Sequence, residues 1–189
     1  MIWKNLHIYV EKKSKSKYSQ YFLSLVAFIE SIFFPIPPDI ILIPIVYFNP
    51  KNFLATALNC TIFSVIGGTF GYIIGYLIFD IAQSYFDISK QGEFMNFYKD
   101  WGIFAVFLGG FTPIPYKVIA LTSGYAQFNF IYFILLSLLS RGLRFFIIAF
   151  IIKQFGKLGM VILQRNKLLI FIIIPLGIVF FIYLFFYHD

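Results

Sequence analysis

The chain has 189 residues, enough for one domain, yet 60% of them are apolar, only 12% are charged, and the mean hydropathy is +0.86. Soluble domains carry about a quarter charged residues, so this composition excludes a water-soluble globule and indicates an integral membrane protein. The formal charge of +7 does not point to nucleic acid, because its sources (Lys4, Lys12, Lys13, Lys15 and Lys17, then Lys153, Lys157, Arg165 and Lys167) flank apolar runs, as the positive-inside rule expects.

In chain order, residues 1–17 form a basic segment in which Trp3, Leu6 and Val10 recur at helical spacing. They fit a short helix lying on the membrane surface, or equally a disordered basic tail. A single domain over residues 18–187 follows. Its first apolar run, Tyr18 to Phe48, is broken by Pro35-Ile36-Pro37-Pro38. Such prolines remove backbone donors and force extended geometry, so one continuous helix is excluded. Each half falls short of the roughly 20 residues needed to cross a bilayer. Two half-helices meeting at membrane depth fit better, provided that the irregular backbone is buried in protein or lines a wet cavity. Glu30 and the lack of a small-residue cleavage pattern argue against a cleavable signal peptide.

Residues 53–80 form a span in which Gly67, Gly71 and Gly75 share one face. Close helix packing is favoured for that face over ligand contact. Residues 81–101 are more polar, with Phe94, Phe97, Tyr98 and Trp101 at i, i+3, i+4 and i+7, and are expected to form an interfacial amphipathic helix. The run from Gly102 to Tyr125 is again apolar and again broken, at Pro113-Ile114-Pro115. Ile131 to Ile152 is a span carrying Arg141 and Arg144, and Leu168 to Tyr187 is a plain span with a kink expected at Pro175.

This order is an internal repeat that pairs two proline-interrupted segments, the sequence pointer to a transport site at a repeat interface. The expected fold is an all-α membrane protein with two proline-broken re-entrant helical hairpins, about three full transmembrane helices and interfacial amphipathic helices. The alternative is that the prolines merely kink ordinary spans. Re-entry would leave the N-terminus, Lys51 and residues 153–167 cytoplasmic and residues 81–101 outside; full crossing would move Lys51 outside and residues 81–101 inside. The proline argument favours re-entry.

Five ionisable residues interrupt the apolar runs: Glu30, Asp39, Lys117, Arg141 and Arg144. Each costs roughly 2.5–3.5 kcal/mol at a helix centre on insertion scales, which makes such residues functional candidates. Glu30 is a candidate proton carrier. Asp39 is either another or a cap on the helix that follows Pro37-Pro38. Arg141 and Arg144, three apart on one face, suit bidentate binding of phosphate, or they simply pair with Glu30 and Asp39. Even complete pairing leaves one cation over, and an anionic ligand would balance it unless Lys117 snorkels to the surface. The half-helix N-termini add an attraction for anions. Together these features describe a proton-linked site for a phosphate-bearing substrate. Cys60 is the lone cysteine, and His7 and His188 stand at opposite ends. No metal, cofactor or disulfide is therefore expected, nor a catalytic residue set.

At these residues the chain resembles the DedA family of membrane proteins, also called VTT or SNARE-associated domain proteins. The likeness covers about residues 18–187. It rests on Glu30 ahead of Phe34-Pro35-Ile36-Pro37-Pro38-Asp39, then Gly67-Gly68-Thr69-Phe70-Gly71-Tyr72-Ile73-Ile74-Gly75, then Gly109 through Lys117 with Gly124, and finally Arg141 through Arg144. The wording of the third motif looks most like the YqaA-like branch. The resemblance implies an inverted repeat whose re-entrant hairpins face each other, and lipid transport across the bilayer. In bacteria that transport is linked to polyprenyl-phosphate carriers or phosphatidylethanolamine, with proton coupling. It also implies an acidic pair at Glu30 and Asp39 and a basic pair at Arg141 and Arg144. One departure is clear: many members read Gly-Arg-Phe-x-Pro-x-x-Arg in the second hairpin, whereas Gly110 and Tyr116 stand here at the two arginine positions, with Lys117 next.

The reading that follows is a multi-pass lipid transporter or flippase of the bacterial plasma (inner) membrane, its N-terminus cytoplasmic and its partners phosphate-bearing lipids and protons. Arg141, Arg144 and Lys117 would bind the headgroup, and Glu30 and Asp39 would exchange protons. A non-catalytic membrane scaffold is the alternative, and a membrane-embedded enzyme of lipid metabolism a more distant one.

Overall fold

The computed structural model describes residues 18–33, 36–82, 88–112 and 115–187. Among the described residues every regular element is helical: α1 (Ser19–Glu30), α2 (Asp39–Phe48), a 3-10 turn (Pro50–Asn52), α3 (Phe53–Ala82), α4 (Ile88–Phe111), α5 (Tyr116–Tyr125) and α6 (Phe130–Tyr187). The expected basic segment 1–17, as well as Pro35 and Pro113, lies outside the described residues.

Local chemistry sets the boundaries. α2 and α5 each begin one residue after a proline, Pro38 and Pro115, where a missing N–H and a fixed φ cost the helix nothing. α5 ends as Gln127 enters the left-handed region at φ 52°. The Asn129 side chain then caps α6, its Oδ1 accepting from the N–H groups of Ile131 and Tyr132 at 3.0 and 3.1 Å.

Two helical hairpins result, resting on α3 from opposite ends. Gln20 donates to Thr56 Oγ1 at 2.8 Å, setting the start of α1 beside the first turns of α3, and the end of α2 connects to that same end through Pro50–Asn52. The last turn of α5 instead returns to Tyr98 of α4, whose hydroxyl lies 2.7 Å from Thr122 Oγ1. Tyr125 there packs on Phe79, near the far end of α3. One apolar core lies under each hairpin, the first around Leu23, Leu42, Ile45, Cys60 and Ile148, the second around Tyr72, Val106, Tyr116 and Phe133.

The small-residue face of α3 seats both hairpins by close backbone approach. A Cβ on Gly67 would strike the Phe28 carbonyl of α1, and one on Gly75 the Leu121 carbonyl of α5. Gly71, between them, would meet both, with Ala120 Cβ at 3.1 Å and the Ser31 carbonyl at 3.6 Å. From the other side, a Cβ on Gly124 would run into the Tyr72 carbonyl of α3. Overpacking of this kind costs about 1–3 kcal/mol, so Gly124→Ala is expected to lower the melting temperature of the detergent-solubilised protein. Gly92, with nothing within 4 Å of its would-be Cβ, is the control: Gly92→Ala should be neutral, or raise stability by up to about 1 kcal/mol.

Two boundaries differ from the sequence expectation. Residues 88–111 form one helix, not an interfacial helix followed by a new segment at Gly102. No proline separates the two stretches, and Gly102 leaves room for the Phe128 ring, 2.7 Å from its would-be Cβ. The aromatic row expected on one interfacial face splits accordingly, with Tyr98 buried and Phe97 and Trp101 exposed.

Residues 130–187 likewise carry a continuous helical trace where two spans joined by a basic link were expected. The trace is not straight. Gly156 has φ +51°, and a Cβ on Gly159 would lie 2.8 Å from the carbonyl of Ile151, eight residues earlier. A straight helix would hold those levels about 12 Å apart. The chain therefore doubles back at Gly156, which returns Leu163 to the core beside Leu23 and Ile152.

Among the described residues two helices are long and apolar enough to cross a membrane, Pro50–Phe79 and Phe130–Gly159. Their outward faces carry exposed Ile62, Ile66, Phe70, Ile73, Leu135, Leu139 and Phe146, a surface that lipid solvates and water does not. The expected terminal span, 168–187, is helical in its backbone.

Candidate functional site

The five charged residues singled out from the sequence gather where the hairpin tips meet the middle of α3 and α6. Arg141 and Arg144, three residues apart, point from one face of α6 into the protein. Arg141 Nη2 donates to Glu30 Oε2 at 2.8 Å, and its Nε donates to Ser64 Oγ at 2.8 Å. Ser64 Oγ lies 2.8 Å from Ser31 Oγ, so the end of α1, the middle of α3 and the middle of α6 share one hydrogen-bonded unit. The guanidinium also sits 4.8 Å from the ring centroids of both Tyr116 and Phe145, a cation–π setting.

Arg144 ties the two tips to each other. Its Nη2 donates to Asp39 Oδ2 at 2.6 Å, on the first residue of α2, and its Nη1 to the Thr112 carbonyl at 2.8 Å, just past the end of α4. Lys117 adds a second tie: its Nζ donates to the Phe33 carbonyl at 3.1 Å. One residue from each side of each proline break therefore takes part: Glu30 or Phe33 and Asp39 at the first, Thr112 and Lys117 at the second. Pro37, Pro38 and Pro115 stand within this junction.

The two ion pairs are not equivalent. The side chain of Asp39 is 1% exposed and that of Arg144 6%, whereas Glu30 keeps 13% against 2% for Arg141. Buried pairs gain little net stability over apolar replacements, but a charge stranded by loss of its partner is expensive. Glu30–Arg141 is the pair that opens at lower cost. Asp39 also lies in the first turn of α2, where a negative charge complements the helix dipole. The N-cap position itself is Pro38, with no side-chain cap bond.

Four polar participants escaped the sequence reading: Ser31, Ser64, Thr112 and Tyr116. Ser64 was within reach of it, since residues 64, 67, 71 and 75 lie on one helical face. Tyr116 is fully buried with its ring parallel to that of Phe133 at 6.3 Å, and its ring fills the space that Gly68 leaves open. Among the described residues no three of His, Cys, Asp and Glu come together in a way that could hold a metal ion. The chemistry on offer is anion recognition by guanidinium and ammonium groups, and proton exchange on carboxylates.

The VTT domain matches residues 34–154. An uncharacterized protein of Haemophilus influenzae is 41% identical over 140 residues, covering 72% of this chain and 73% of its own. A Histophilus somni homologue of the same kind is 35% identical over 147 residues, with 75% and 76% coverage. An uncharacterized protein of the archaeon Methanocaldococcus jannaschii is 30% identical over 147 residues, with 72% and 87% coverage. No solved structure matches the chain.

Proposed function

Since this chain belongs to the VTT-domain (DedA) family of membrane proteins, we propose that it moves a phosphate-bearing lipid across a bacterial inner membrane, coupled to protons. The observation that carries the reading is the charge balance at the junction. Both carboxylates are engaged by arginines, and of the five charged residues at the junction the fifth, Lys117, donates to a neutral carbonyl. A lipid phosphate supplies the missing negative charge. The first turn of α5, beside Lys117, holds no acidic residue and no side-chain cap, so its N–H groups and dipole add to the attraction.

In this mechanism protonation neutralises Glu30, the more accessible acid, and releases the Arg141 guanidinium. The lipid phosphate takes the vacated place, held by Arg141 in bidentate fashion and by Lys117 from the opposite hairpin. The Arg144–Asp39–Thr112 connection keeps the tips together while the exchange occurs. Loss of the proton restores the Glu30–Arg141 pair and expels the headgroup.

Re-entry of both hairpins fits this scheme. Lys153 Nζ lies 4.0 Å from the ring centroid of Phe53, two residues past Lys51, so the two basic positions share one end of the molecule. Their shared end supports re-entry, since full crossing of both broken segments would put Lys51 and Lys153 on opposite sides. The positive-inside rule then makes that end, and the start of α1, cytoplasmic.

The test is reconstitution into liposomes carrying a labelled polyprenyl phosphate or a labelled phospholipid. Faster transbilayer movement than in protein-free vesicles, and faster again under a pH gradient, is the expected result; movement equal to that of empty vesicles under every gradient would end the proposal. The complete pairing of both arginines favours a second reading, in which the charges only stitch the helices together. Glu30→Arg combined with Arg141→Glu discriminates, because a stitch survives reversal whereas a phosphate site with a proton carrier does not.

A further inference from the structure

Between α1 and α3 runs a seam of mostly hydrogen-bonding side chains that joins the headgroup site only at its inner end, through Ser31 and Ser64. On α1 and just past its end it consists of Gln20, Ser24, Ala27 and Ser31, at i, i+4, i+7 and i+11. Facing them on α3 are Thr56, Cys60 and Ser64, four residues apart, with Asn59 beside them. Thr56 Oγ1 donates to the Asn52 carbonyl at 2.9 Å and accepts from Gln20 Nε2 at 2.8 Å. Asn59 Nδ2 donates to Ser24 Oγ at 2.9 Å and to Gln20 Oε1 at 3.2 Å. Farther along, Ser31 Oγ touches Ser64 Oγ at 2.8 Å and Glu30 Oε2 at 3.4 Å.

Each end of the seam is informative. Its outer end abuts the turn Pro50–Asn52, where Asn49, Lys51 and Asn52 are exposed and Tyr18 and Tyr21 stand out from α1, the dress of a membrane–water interface. Its inner end is Glu30, ten residues and about 15 Å along α1, about half the thickness of the hydrocarbon core. The polar chain is interrupted once. Ala27 and Cys60, both fully buried, separate Asn59 from Ser64 by about 7.5 Å of helix rise, a dry step in the row.

We propose that this seam is the proton route between the cytoplasmic interface and Glu30, with the Ala27–Cys60 step as its dry gate. The inference rests on the proton-coupled reading above and identifies how the proton arrives. A proton leaves hydronium at the Asn52 end. The serine and threonine hydroxyls accept and release it in turn, while the Gln20 and Asn59 amides orient the water between them. It ends on Glu30, and only O–H bonds are made and broken. The charged and titratable groups that face Glu30 are Arg141 from α6, Cys60 from α3 and Tyr116 from α5; Asp39 and Arg144, paired with each other, and Lys117 on the Phe33 carbonyl complete the charges of the junction.

Small polar residues between membrane helices also serve as simple glue, so the decisive variant is one that glue would not notice. Cys60→Ser replaces a thiol by a hydroxyl of similar size and completes the polar row. In proteoliposomes with an internal pH dye, a potassium diffusion potential and labelled lipid, it is expected to raise proton flux several-fold. Asn59→Leu is expected to cut it by at least about tenfold, and the ratio of lipid movement with a pH gradient to that without should fall towards one. Should Asn59→Leu not fold, Ser24→Ala and Cys60→Ser carry the test. Wild-type proton flux in all these variants, alongside lipid transport that still responds to the gradient, overturns the seam and spares the transport reading. Wild-type protein that moves lipid but no protons overturns the seam as well, whereas protein that moves no lipid removes the reading beneath it.

Discussion

Replacing Arg144 with glutamine is expected to cost about 3–5 kcal/mol of stability, the penalty for a buried charge that loses its partner. Asp39 would then be left 1% exposed without its 2.6 Å guanidinium, and the Thr112 carbonyl would lose the donor that binds the second hairpin to the first. For a chain of this length each kcal/mol is worth about 2–4 °C in melting temperature, so a fall of more than about 6 °C in detergent should be seen. Asp39→Asn alone should be comparably harmful. The double variant Asp39→Asn/Arg144→Gln, whose two amides can hydrogen-bond each other, should recover most of the loss. A double variant no better than the sum of the singles would mean that the pair is not the tie described.

Glu30→Gln is expected to behave in the opposite way, with activity lost far more than structure. The glutamine oxygen can still accept from Arg141 Nη2, and Arg141 retains Ser64 and two aromatic rings. What disappears is the carboxyl group on which the proposed proton coupling depends. A missing acid–base group commonly costs about a hundredfold or more, so pH-driven lipid movement should fall by at least that factor while the melting temperature falls less than in Arg144→Gln. Gradient-driven transport at the wild-type rate in Glu30→Gln liposomes would remove Glu30 from the mechanism.

The unequal standing of the two pairs shows where sequence stops being legible. The proline breaks could be placed from the chain alone, because a pyrrolidine ring acts on its own backbone and on the residue before it. The set of five charges could also be picked out, since a charge in an apolar run stands out by cost. Their pairing could not be, because Glu30 meets Arg141 across 111 positions and either carboxylate suits either arginine until packing decides. Gly156 illustrates a second limit. A glycine inside a helical pattern is compatible with an unbroken helix or with a reversal, and the choice rests on Leu163 finding room in a distant core. The join at Gly102 failed for a related reason: a change in polarity along residues 88–111 changes what surrounds the helix, not whether the helix continues. Tyr116 stands at one position where the resemblance leads one to expect an arginine, and Arg141 from α6 lies against its ring instead. Gly110, at the other such position, lets α4 close directly upon Ser140, leaving no volume there for a long basic side chain.

Gly71 has a mechanical consequence. A Cβ added there would meet the methyl of Ala120 on α5 at 3.1 Å and the carbonyl of Ser31, just past α1, at 3.6 Å, so one bare position on α3 makes room for both hairpins. A side chain at position 71 would therefore crowd the second hairpin, where the contact is the tighter, before it disturbed the first.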